Sequence, residues 1–140
     1  MNHSMSDRVK ERLLRQLAYF EENSQDILNG FTHTAERAAI KDLIARYCRH
    51  IERQVGDLDA EGPDALVWIG SRVTVYNETD QAEECFIIVL PEEVDPDEGK
   101  ISFLSPIGQK LLLTRAGSRA EIDSPGGKYW VTVKDLAFGA

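Results

Sequence analysis

No apolar run in this chain of 140 residues approaches the roughly 20 residues that a membrane helix needs. Cysteine is scarce too. Cys48 and Cys85 lie far apart and match no metal-ligand spacing, so both are expected to pack as small hydrophobes in a reducing cytoplasm. Neither a metal site nor a cofactor is expected. The start, Met1-Asn2-His3-Ser4-Met5, carries no apolar h-region and reads as a short disordered stretch, not a secretory leader. Basic charge is sparse in one half only. Residues 1–60 hold nine Lys/Arg against ten Asp/Glu, whereas residues 61–140 hold seven against fourteen. An acidic C-terminal half repels phosphate backbones, so nucleic acid is expected to be met only indirectly, and a basic protein surface suits this half better. The same charge also serves solubility.

What remains is a balanced composition, 42% hydrophobic and 29% charged, which is that of a folded domain and not of a disordered chain. Glycine and proline are missing from Ser6 to Leu28, a stretch rich in Leu, Glu, Arg and Gln. Val9, Leu13, Leu17, Phe20, Ile27 and Phe31 recur at steps near those of a coiled-coil seam, with Ser6 as the expected N-cap. Asn29-Gly30 should end this helix, the glycine entering a left-handed conformation. Thr32 or Thr34 can cap a second helix with Glu36 in its first turn and a stripe of Ile40, Ile44, Tyr47, Ile51, Val55 and Leu58. Two stripes of equal length joined by a short break predict an antiparallel helical hairpin over residues 1–60. Its outer faces carry Arg12, Arg15, Arg37, Lys41, Arg46, Arg49 and Arg53 among acids, as solvated faces do through pairs such as Asp42 with Arg46. Asp57 to Asp64 has linker composition.

After the linker the apolar period changes from about 3.5 to 2. Strands are expected at Arg72–Tyr76, at Glu84–Leu90 (apolar enough to be covered on both faces), at Gly99–Phe103, at Ser118–Asp123 and at Lys128–Ala137. Tyr129, Val131 and Val133 share one face of the last. Glu92–Glu98 is a solvated acidic loop, Pro125-Gly126-Gly127 a hairpin turn, and Ser105-Pro106 the cap and first residue of one short helix. The fold class is α+β: the hairpin, a short coiled coil, plus an antiparallel β-sheet domain over 61–140.

Gly99-Lys100-Ile101-Ser102, Ser105-Pro106-Ile107-Gly108, Leu111-Leu112, Ala116-Gly117-Ser118 and Ser124-Pro125-Gly126-Gly127 follow one another in order. In this they resemble the C-terminal domain of the GreA/GreB transcription elongation factors, whose pattern runs G-K-I-S, S-P-I-A or S-P-I-G, A-L-L, a G-D turn and P-G-G. Ser118 stands where the family usually has Asp. The resemblance implies an FKBP-like domain that docks on bacterial RNA polymerase at the rim of its secondary channel, in the cytoplasm, with Leu104, Ser105, Pro106, Ile107 and Gly108 as contacts. Leu104 and Ile107 serve equally well to close a small core. Cleavage-stimulating members present acids from a coiled-coil tip resembling G-D-L-K-E-N-A-E-Y, to help hold a metal ion and a water. Here the tip reads Gly30-Phe31-Thr32-His33-Thr34-Ala35-Glu36-Arg37. The positions of those acids fall on Phe31 or Thr32 and on His33 or Thr34, none a carboxylate. Asp26 and Glu36 are the acids nearest the tip, and His33 reads as a solvated loop residue.

The hairpin is shorter than the family's, which aligns the chain with short-armed, Rnk-like members. The expectation is a polymerase-binding regulator of elongation that is not itself an enzyme. Two alternatives stand beside it: a cleavage-stimulating factor using unusual tip residues, and an FKBP-like peptide binder drawing on Phe86, Phe103, Tyr129 and Trp130. Nothing in the sequence fixes an oligomeric state.

Overall fold

The computed structural model describes residues 5–56, 62 and 65–138. Residues 1–4 of the expected disordered start and most of the expected linker, Leu58 included, lie outside the described residues, whereas Met5 is already helical. The chain divides into two compact units, Met1–Glu61 and Gly62–Ala140.

The first unit is a helical hairpin of α1, Met5–Asn29, and α2, Thr34–Gly56. At 1.5 Å per residue each arm is about 35 Å long. Both helices are amphipathic, and their apolar stripes bury against each other: Val9, Leu13, Phe20 and Leu28 from α1, with Ile40, Leu43, Ile44, Tyr47 and Ile51 from α2. The seam differs from the expected one at two places in α1. Gln16 and Leu28 are buried where Leu17 and Ile27 were expected, and those two are only half-buried. Gln16 is welcome there because the Tyr47 hydroxyl donates to its Oε1. Phe20 packs edge-on against both Tyr19 and Tyr47, with ring centroids 5.3 and 5.9 Å apart.

The helix ends differ from expectation as well. α1 already runs at Met5, so Ser6 lies inside it. Gly30 is not left-handed, since its N–H simply turns back to the Ile27 carbonyl at 3.1 Å. Neither expected threonine precedes α2. His33 does, its carbonyl accepting from Arg37 N–H at 2.9 Å, and Thr34 is the first helical residue.

The second unit is a five-stranded sheet: β1 Ser71–Asn77, β2 Ala82–Val89, β3 Lys100–Ser102, β4 Arg119–Ser124 and β5 Gly127–Phe138, in the order β3-β2-β1-β5-β4. One short helix, α3 (Pro106–Leu111), precedes β4. The α+β class holds, with one change: the sheet is mixed. β3 pairs parallel to β2, Ile88 opposite Ile101, while the other pairs are antiparallel. The acidic loop explains this. Pro91 and Pro96 each start a single 3-10 turn, Pro91–Glu93 and Pro96–Glu98, and together they carry the chain back along β2. Gly99, at φ +70, and a two-way bridge between Asp95 and Lys100 deliver it into β3.

Val73, Val75, Ile88, Ile122, Val131 and Val133 line one sheet face, and Trp68, Phe103 and Leu111 complete the core, all at most 1% exposed. At about 25 cal/mol per Å² of apolar surface, each of these side chains contributes roughly 1.5–3 kcal/mol. Tyr129 shares the Val131/Val133 face, half-buried. β2 is covered on both faces only at its end, where the neighbours Ile88 and Val89 are both buried; Phe86 and Ile87 are half-buried, and Cys85, opposite Thr74, is exposed. Cys85 is therefore no packed hydrophobe. Cys48 comes closer to one: it is half-buried, and burial, with Glu52 and Glu21 nearby, raises its thiol pKa and keeps it protonated.

Candidate functional site

Two surfaces carry the sequence-predicted residues, one in each unit. The first is the loop from β3 into α3. Ser105 is the N-cap of α3: its Oγ accepts from Gly108 N–H at 3.1 Å and donates to the Ser102 carbonyl at 2.7 Å. Pro106 at the first helical position loses nothing, because that N–H would have no helical partner. The Ser105 N–H also reaches the Ser102 carbonyl, at 3.0 Å. This turn leaves Pro106 exposed, with Leu104 and Ile107 half-exposed on either side. Gly108 is buried. A Cβ there would stand 2.2 Å from the Ser102 carbonyl oxygen and 2.9 Å from Phe103 Cα, so the loop backbone occupies the space a side chain would need.

The loop holds two further residues that were not among the expected contacts. Ser102 Oγ accepts from Leu104 N–H at 3.0 Å, and Gln109 Nε2 donates to the Leu104 carbonyl at 2.7 Å. Ser102 carried a signal as the last residue of the Gly99-Lys100-Ile101-Ser102 motif, whereas Gln109 carried none.

The second surface is the hairpin tip. Gly30 to His33 connect the helices, and His33 is exposed while Phe31 is half-buried. Asp26 and Glu36, both exposed, sit on α1 and in the first turn of α2. Asn29 ties the tip together, its Oδ1 accepting from Gln25 Nε2 at 3.0 Å and from Arg37 Nη2 at 3.4 Å. The group that crosses between the helices at this end is thus a cation. Among the described residues no group of three or more His, Cys, Asp or Glu is placed to hold a metal ion.

The four aromatics of the peptide-binding alternative do not converge. Phe103 is in the core, Phe86 and Tyr129 are half-buried, and Trp130 projects from the opposite face to Tyr129. Trp130 instead stacks under Arg119, whose guanidinium carbon is 4.0 Å from the ring centroid. Arg119 also grips Glu78 with two nitrogens, at 2.8 and 2.9 Å, and Thr132 Oγ1 donates to the same carboxylate at 3.2 Å. The hydrogen bond from Arg119 is the main reason that the Glu78 pKa falls and the Arg119 pKa rises. A depressed folded-state carboxylate stabilises fully above its unfolded pKa, and that contribution is lost as pH falls through the folded value. Thermal melts from pH 7 down to pH 3 are therefore expected to show a decline below about pH 4.5 that is shallower in Glu78→Gln. Identical slopes would show that this exposed cluster adds nothing.

Comparison with known proteins covers both units. The family described as "Transcription elongation factor, GreA/GreB, C-term" matches residues 63–138. Transcription elongation factor GreA of Roseiflexus sp. (strain RS-1) is 36% identical over 113 residues, which cover 80% of this chain and 68% of that protein. GreA of Geobacillus kaustophilus (strain HTA426) is 31% identical over 149 residues, covering 94% of each. Among solved structures, the prokaryotic transcription elongation factor GreA/GreB from Nitrosomonas europaea is similar with a TM-score of 0.61 and 28% identity, over 90% of this chain and 93% of that one.

Proposed function

This chain belongs to the GreA/GreB family, and from that premise we propose that it is a transcription elongation factor that binds bacterial RNA polymerase at the secondary-channel rim without stimulating transcript cleavage. The observation that carries this reading is the pairing of an intact docking turn with an unarmed tip. On one side, Leu104, Pro106 and Ile107 form a small apolar knob on a capped helix start, the kind of anchor that fills a partner's pocket. On the other, the tip connection Gly30-Phe31-Thr32-His33 contains no carboxylate. The chain supplies no chemistry of its own in this reading. A cytoplasmic home follows from the partner; among the described residues no helix is long and apolar enough to cross a membrane.

The names of the relatives support a role in elongation and favour neither outcome for cleavage. The second reading, cleavage stimulation, would rest on Asp26 and Glu36, which stand on different helices on either side of the tip connection. One set of experiments tests both. The chain should bind purified bacterial core RNA polymerase in a pull-down, and Pro106→Ala combined with Ile107→Asp should weaken binding by about tenfold or more, the scale of a lost interface anchor. Full affinity in that double variant would overturn the docking site. Backtracked complexes should keep their transcript length when the protein is added. Shortened transcripts, lost again in Asp26→Ala or Glu36→Ala, would establish the cleavage reading instead.

A further inference from the structure

The turn between β3 and α3 is held more tightly than a surface loop of its length requires. Both backbone polar groups of Leu104 are engaged by side chains, its N–H by Ser102 Oγ at 3.0 Å and its carbonyl by Gln109 Nε2 at 2.7 Å. Water satisfies a carbonyl at a half-exposed position nearly as well, because an intramolecular hydrogen bond only replaces one to solvent. Gln109 also gives up much of the rotamer freedom of a long side chain to make the contact. The bond therefore contributes little to stability and a great deal to the direction in which Leu104 points.

Resting on the docking reading above, we infer that Gln109, together with Ser102, is a positioning residue for polymerase binding. It does not need to touch the polymerase. It holds the Leu104 backbone so that Leu104, Pro106 and Ile107 are presented as one knob. Ser105 fixes the helical side of the turn through its cap, and Gln109 reaches back five residues to fix the other side. A loop already set in its bound shape loses little conformational freedom on docking. When that restraint is removed, apparent affinity falls in proportion to the fraction of molecules that still hold the competent shape.

The test uses the full chain and immobilised bacterial core RNA polymerase, with association and dissociation rates and the melting temperature measured for each variant. Gln109→Met keeps length and bulk but has no donor, and it should bind about three- to tenfold more weakly, chiefly through a slower association rate. Its melting temperature should stay within a few degrees of the parent's. Gln109→Arg, which restores an N–H donor, should recover most of the affinity. Leu104→Ser removes part of the knob itself and should speed dissociation. Parental binding by Gln109→Met alongside weakened Leu104→Ser would overturn the positioning role and leave docking standing. No effect of Leu104→Ser would overturn both. A large fall in the melting temperature of Gln109→Met would overturn the inference too, because the side chain would then be a structural strut.

Discussion

Gly108→Val is expected to destabilise the C-terminal unit by about 3 kcal/mol or more, seen as a large drop in its unfolding midpoint. The reason is backbone proximity. The first side-chain carbon at this position would sit 2.2 Å from the Ser102 carbonyl oxygen, well inside contact distance, and 2.9 Å from Ser105 Oγ. The same carbonyl accepts from both the N–H and the hydroxyl of Ser105, so it cannot swing away without undoing the cap of α3. Valine adds two methyl groups against that wall. Alanine brings the same first carbon against that carbonyl, so Gly108→Ala should also lower the midpoint, by less than Gly108→Val because it lacks the two further methyl groups. Two equal midpoints, parent and Gly108→Val, would show that the turn yields freely and that its close approach is not a constraint.

The second large effect belongs to the hairpin. Phe20→Ala should cost about 3–5 kcal/mol, the range for emptying a buried aromatic site. Phe20 is 2% exposed and is the aromatic that joins Tyr19 to Tyr47. A two-helix unit has few other buried residues over which to spread the loss, and small cores give little reserve. Far-ultraviolet circular dichroism should show the helical signal melting at a markedly lower temperature than in the parent. A loss under about 1 kcal/mol would mean that the seam collapses onto the vacated space.

Much of this architecture was legible in the sequence because it rests on local signals. The spacing of Leu13, Phe20, Ile40, Ile44, Tyr47 and Ile51 announces two facing stripes, and Ser105-Pro106 announces a capped helix. What was not legible depends on partners distant in sequence. Gln16 looks like a surface residue until Tyr47, 31 positions away, supplies a hydroxyl. β3 spans three residues and carries no sign of the direction in which it pairs. Cys85 lies in a continuous apolar run, and only the register that sets it opposite Thr74 shows that it faces outward. The docking candidates were named by resemblance. Sequence alone did not reveal that Gly108 faces inward, nor that Gln109 reaches Leu104, because both depend on the path of the loop in space.

The bond between Gln16 and Tyr47 also acts as a ruler. Aliphatic seams tolerate sliding, since one leucine rides over another at little cost, and a slip of one heptad displaces a helix by about 10 Å along its neighbour. A polar pair breaks that degeneracy. In any other register Gln16 would meet hydrocarbon and Tyr47 would lose its acceptor, at a cost large enough to favour a single alignment. The short connection from Gly30 to His33 closes the hairpin, and this polar pair partway along the seam reinforces the same alignment. For an arm proposed to approach a polymerase channel, that second restraint keeps Phe31 and His33 in one place at its tip.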